Sequence, residues 1–288
     1  MPPRLLVVEG NTAEARARQA KHNGSTYSDA YAEVLRRLAP GGTVVDICFP
    51  TDHGANLPDA AGIAGYDGVA ITGSALNIYL GEPESLRQIE LARAVFEAGV
   101  PFFGSCWGLQ VATVAAGGTV VRSDKGREIG VARKIVLTEA GRGHDLHAGK
   151  GPAWDAPAVH TDEVGVRPEG MVVTATNAFS AVQAAEIRAG QGTFWGVQYH
   201  PEFTLAEMAR IISRYGKTLV DDGFFRDLDE LQAHVADLRA LDADPARKDI
   251  AWRLGLDADV IEPQRRQAEI RNWVERMVLP GMSRRGRG

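Results

Sequence analysis

The chain has only two cysteines in 288 residues, Cys48 and Cys106, which excludes a disulfide framework of the kind that staples small secreted domains. It has no long apolar run. The stretch at residues 5–8 is too short for a signal peptide or a membrane helix, so the expected compartment is the reducing cytoplasm and no membrane is expected. Charge of neither sign dominates. A formal net charge of −5 gives no general attraction to nucleic acid, and the basic end, Arg284-Arg285-Gly286-Arg287, is short enough to read as a frayed tail. The phosphate-binding pattern Gly-x4-Gly-Lys-Ser/Thr is absent, so no ATP-binding segment is expected. The first apolar run leads into Glu9-Gly10-Asn11-Thr12, not into a glycine-rich dinucleotide fingerprint. His144-Asp145-Leu146-His147 lacks a further spaced ligand set, so neither a metal nor a cofactor is expected.

What remains is an ordinary globular composition arranged in two styles. Apolar runs at 5–8, 43–49, 69–72 and 101–103 predict strands, and apolar residues at helical spacing predict helices over 28–38 and 84–98. Alternation of this kind predicts an α/β fold, with a mostly parallel central sheet flanked by helices. After Gly117-Gly118 the pattern changes to strands over 119–121, 129–137, 171–176, 181–187 and 193–199, with a glycine- and histidine-rich loop over 140–154. An amphipathic helix over 204–220 is expected to pack back on the core. Residues 1–224 are read as the main domain and 225–288 as a helical C-terminal extension, in which Trp252 and Trp273 serve helix packing.

The chemistry concentrates at Gly104-Ser105-Cys106-Trp107-Gly108-Leu109-Gln110. A strand ends, the chain turns between glycines, and a helix follows, which is the layout of a nucleophile elbow. A thiol there faces unpaired N–H groups and the positive end of the helix dipole, both of which favour the reactive thiolate. Cys48, inside its strand with no partner motif, reads as a core residue. A cysteine nucleophile needs a base and a group to orient it. Two His-x-acid pairs are available, His160-Thr161-Asp162 and His200-Pro201-Glu202, and spacing alone does not choose between them. His200 ends a probable core strand, where parallel-sheet proteins gather catalytic groups, and His160 follows a Pro-rich, less regular stretch.

The combination Gly104-x-Cys106-x-Gly108-x-Gln110 with His200-Pro201-Glu202 resembles the class I (triad) glutamine amidotransferases, over roughly residues 4–220. The look is nearest to stand-alone relatives of the amidotransferase domain of GMP synthetase. The resemblance implies Cys106 as nucleophile, His200 as base and Glu202 as its orienting carboxylate. It implies an oxyanion hole from the backbone N–H groups of Gly73 and Trp107, and substrate binding by Gln110, Val159, Thr161 and Asp162. On this view His160 belongs to the binding segment and is not the base. The chain departs from the family at Thr72-Gly73-Ser74-Ala75-Leu76, which lacks the usual Gly-Gly-Pro, and at Val159, where several relatives carry Ser or Asn.

The implied activity is hydrolysis of the glutamine side-chain amide through a cysteine thioester, giving glutamate and ammonia for a separate synthase or acceptor subunit. A stand-alone γ-glutamyl amide hydrolase needs the same triad and is the first alternative. A non-catalytic binding or regulatory protein on the same scaffold is the second. The extension is expected to cover the main domain, shield the site, dock a partner or form a homodimer contact.

Overall fold

A computed structural model describes residues 1–55 and 57–285. Five parallel strands form the heart of the sheet, in the order β2 (Val44–Cys48), β1 (Arg4–Val8), β3 (Gly68–Ile71), β4 (Phe102–Ser105) and β11 (Gly192–Val197). Antiparallel strands extend it through β10 (Ala184–Ala189), β9 (Met171–Thr176), β6 (Glu128–Leu137) and β7 (Ala153–His160). A separate two-stranded ribbon pairs β5 (Thr119–Arg122) with β8 (Asp162–Val166). This is the α/β architecture that the alternation predicts.

The inner parallel strands, β1, β3, β4 and β11, are buried on both faces, so two cores form. One side packs α4 (Pro83–Ala98) and α5 (Trp107–Ala115) against Leu6, Val8, Val69, Ile71 and Phe102. The other packs α2 (Tyr27–Leu38) against Leu5, Val7 and Phe103. The short helices at the C-terminus close that same second core. Ile270, Trp273, Val274 and Val278 are fully buried in it, and the Trp273 ring lies 5.7 Å from Phe103. A buried ion pair ties this segment down. Lys150 Nζ is 3.1 Å from Glu269, and Tyr199 donates to the same carboxylate at 2.5 Å. Trp252 does not pack as expected: it is 89 % exposed.

A third core joins α6 (Leu205–Asp221), α7 (Leu228–Ala243) and α8 (Lys248–Leu254), with Met208, Ile212, Leu231, Leu238 and Ile250 at its centre. The first of these helices begins at a capping box, with Thr204 accepting from Glu207 N and Glu207 accepting from Thr204 N. Several elements go beyond the sequence reading, among them helix α1 (Ala13–Asn23), which follows β1 directly and is capped by Thr12, and strands β7 and β8. Strand β7 overlaps the loop expected over 140–154 only at its first two residues and runs on through the Pro-rich stretch to His160. At the basic end, Arg285 bonds Asp67, while Gly286 and Arg287 lie outside the described residues.

Candidate active site

Strand β4 delivers the chain to Cys106, which sits at φ 51°, ψ −100° immediately before α5. A non-glycine residue at positive φ stores roughly 1–3 kcal/mol of strain, and such strain persists only where the surroundings fix it. Here Cys106 N–H donates to the Val197 carbonyl of β11 at 2.7 Å, and the flanking glycines let the helix crowd the sheet. A Cβ on Gly108 would fall 2.8 Å from the Ile71 carbonyl. Cys106 is 5 % exposed, and its Sγ donates to the Val159 carbonyl at 3.7 Å.

His200 follows β11, anchored by its N–H on the Pro157 carbonyl at 2.7 Å. Its Nδ1 meets Glu202 Oε1 at 2.7 Å, and its ring stacks on Phe203 with centroids 4.0 Å apart. The other carboxylate oxygen, Oε2, accepts from Ser105 Oγ at 2.9 Å, and the Tyr31 hydroxyl lies 3.4 Å from that serine. Burial works against charge on His200. The Glu202 carboxylate and a hydrogen bond with Cys106 outweigh it, and the imidazole pKa is pushed up to about 10. Cys106, His200 and Glu202 therefore converge, with neighbouring strands supplying all three.

Gly73 lies against this group. A Cβ there would fall 2.7 Å from His200 Cε1, so the imidazole occupies the space that a side chain would need. The Gly73 carbonyl accepts from Asn11 Nδ2 at 3.1 Å and from Thr72 Oγ1 at 3.1 Å, and Ala75 N–H donates to Asn11 Oδ1. Asn11 is in turn held by buried Glu9, which also receives Ser28 N–H. Trp107 is fully buried and donates to Gln88 at 2.7 Å, and its backbone N–H belongs to the unpaired first turn of α5.

Gln110 donates to the Asp162 carbonyl at 3.2 Å. The Asp162 carboxylate takes Asn77 Nδ2 at 2.7 Å, Tyr79 at 3.3 Å and Thr161 at 3.1 Å. His160 points elsewhere: its Nε2 bonds Glu128 at 2.8 Å, in a buried knot with Asn177 and Gln183. Those donors overcome burial and hold the Glu128 carboxyl below its usual range. His144 and His147 are also engaged, on Glu186 and Thr174.

A cleft of about 770 Å³ reaches His200, Gly73 and Val159. Beyond them it is lined by Phe203, by Gln19 and Arg18 of α1, by Arg210, Arg214 and Tyr215 of α6, and by Arg239 of α7. Gln110, Thr161 and Asp162 are not among its walls. The sequence reading assigned no role to Ser105, Asn11, Phe203 or these arginines. Only Ser105 stood inside a quoted motif.

The chain belongs to the class-I glutamine amidotransferase family, whose model matches residues 22–215. A γ-glutamyl-L-1-hydroxyisopropylamide hydrolase of a Pseudomonas species is 37 % identical over 289 residues, covering 98 % of this chain and 95 % of that protein. A GMP synthase of Corynebacterium jeikeium is 33 % identical over 179 residues, covering 62 % of this chain but only 30 % of the synthase. The solved structure of a glutamine amidotransferase from Thermotoga maritima superposes with a TM-score of 0.65 at 17 % identity, covering 96 % of this chain and 99 % of that one. That match shows a shared fold.

Proposed function

We propose that this protein hydrolyses a γ-glutamyl amide by itself, through Cys106, His200 and Glu202. The observation that carries the reading is the strained thiol beside an imidazole that Glu202 binds at 2.7 Å and holds charged. The Cys106 thiolate attacks the γ-carbonyl carbon, and the oxyanion is received by N–H groups of Trp107 and the Gly73–Ser74 turn. The C–N bond then breaks, His200 protonates the departing nitrogen, and a γ-glutamyl thioester remains. Water attacks this thioester with His200 taking its proton, the S–C bond breaks, and glutamate leaves. Gln110, Val159, Thr161 and Asp162 hold the glutamyl end.

Two observations support an amine larger than ammonia as leaving group. The Pseudomonas hydrolase matches over 98 % of this chain and 95 % of its own length, whereas the synthase matches over 30 % of its own length. The cleft beside His200 also has room for an organic amine. The second reading, a glutaminase feeding ammonia to a separate acceptor subunit, is supported by the synthase relatives. Among the described residues no helix is long and apolar enough to cross a membrane, and two unpaired cysteines suit a reducing cytoplasm.

The purified chain is assayed for release of glutamate from γ-glutamyl-L-1-hydroxyisopropylamide and from glutamine. Higher kcat/KM on the substituted amide supports the hydrolase, and the reverse supports the glutaminase. Cys106→Ala must abolish either activity. A glutamine-like electrophile should label Cys106 at neutral pH and spare Cys48, whose thiol burial pushes up to about 12. An inert Cys106 would leave the non-catalytic scaffold as the surviving reading.

A further inference from the structure

The cleft beside His200 gathers four arginines and no acidic residue in a chain of net charge −5. Arg210, Arg214 and Arg239 all line it, and among the described residues none of the three has a carboxylate within salt-bridge distance. Arg18, the fourth, is paired with Glu14 on its own helix. Glu207, one turn before Arg210 on the same helix, is already engaged in capping Thr204 N at 2.6 Å. Arg214 has only aromatic company, the Tyr27 hydroxyl and the Tyr215 ring at 5.4 Å. Arg210 Nε has no hydrogen-bond partner either.

Position assigns the ligand to one half of the substrate. His200 must protonate the departing nitrogen, so the amine lies on the imidazole side, where the cleft opens. Of the residues proposed for the glutamyl end, Gln110, Thr161 and Asp162 are outside it, and Val159 alone is shared between the two halves. We propose that the amine released by this enzyme carries an anionic oxygen group, held by Arg210, Arg214 and Arg239. The inference rests on the hydrolase reading and narrows it to γ-glutamyl amides with acidic leaving groups. It also gives the extension a task, because Arg239 is contributed by α7. Arginine suits this role because its planar fork matches carboxylate and phosphate oxygens in pairs.

The test uses the full chain and three kinds of γ-glutamyl amide. One series carries ω-amino acids of increasing length, one member carries O-phosphoethanolamine, and the neutral members are the carboxamide counterparts of the first series and γ-glutamyl-L-1-hydroxyisopropylamide. The expected result is a kcat/KM at least roughly tenfold higher for an acidic member than for its neutral counterpart, falling as salt is raised. The carboxylate and phosphate arms tell which oxyanion is preferred. Arg210→Gln, Arg214→Gln and Arg239→Gln should each reduce that preference, mainly through KM, with Arg239→Lys retaining part of it. Circular dichroism checks that each variant is folded. Equal rates on acidic and neutral amides, or a preference that survives the triple substitution, would overturn the inference and leave the hydrolase reading standing. Failure to cleave any member would overturn the hydrolase reading itself.

Discussion

Ser105 donates a 2.9 Å hydrogen bond to the one Glu202 oxygen that His200 leaves free. The residue before the nucleophile thus fixes the carboxylate that fixes the base. Glu202 is buried, so losing this donor leaves an acceptor unsatisfied at a cost of about 1–3 kcal/mol. Ser105→Ala is expected to lower kcat by roughly tenfold with little change in KM, and Ser105→Thr to recover most of the loss. A loss confined to thermal stability, with kcat intact, would show that the serine serves only packing.

The charged state of His200 sets the alkaline limit. With its pKa pushed up to about 10, kcat/KM should hold through mildly alkaline pH and fall as the imidazole deprotonates near that value. Glu202→Gln removes the strongest of the charge-favouring contributions, so the limb moves to lower pH. The sign for stability follows from the raised pKa. The contribution of charged His200 is fully present below its ordinary pKa, roughly 6.5, and is lost as pH rises through about 10. A pH-rate profile and denaturant midpoints across the same range check both statements.

Gly73 and His200 leave each other no spare room. Gly73→Ala puts a methyl 2.7 Å from Cε1 and forces the ring off its line to Cys106. Displacements near 1 Å at a reacting group cost about a hundredfold, so kcat/KM should fall by that order while the melting temperature moves little. An alanine variant with full activity would show that the loop yields more easily than the imidazole.

The Lys150–Glu269 pair bears on stability alone. Both side chains are buried, and Glu269→Ala strands the ammonium and leaves Tyr199 without its acceptor. Removing one partner of such a pair costs about 3–5 kcal/mol, which a urea titration resolves. Lys150→Met together with Glu269→Leu should recover much of that loss.

The parallel half was legible because its strands are continuous apolar runs and its helices carry clear apolar faces, as at 28–38 and 84–98. Helix α1 was not, because Ala13–Asn23 has no apolar residue larger than alanine and its definition comes from the Thr12 cap and Gly24. Strand β7 hid behind Pro157, a residue that argues against a central strand but is tolerated at the sheet edge where β7 lies. The elbow and the His-Pro-Glu motif could be read because their spacing is local. The arginines of the cleft come from α1, near the start of the sequence, and from the consecutive helices α6 and α7, and only folding brings them to one cleft.

The elbow's own strand is finished by a segment from far along the chain: Trp273 and its neighbours close the core over Phe103, three residues ahead of the sulfur. The nucleophile is therefore made long before the aromatic ring that completes the packing beneath it, and that packing waits for the later helices to dock.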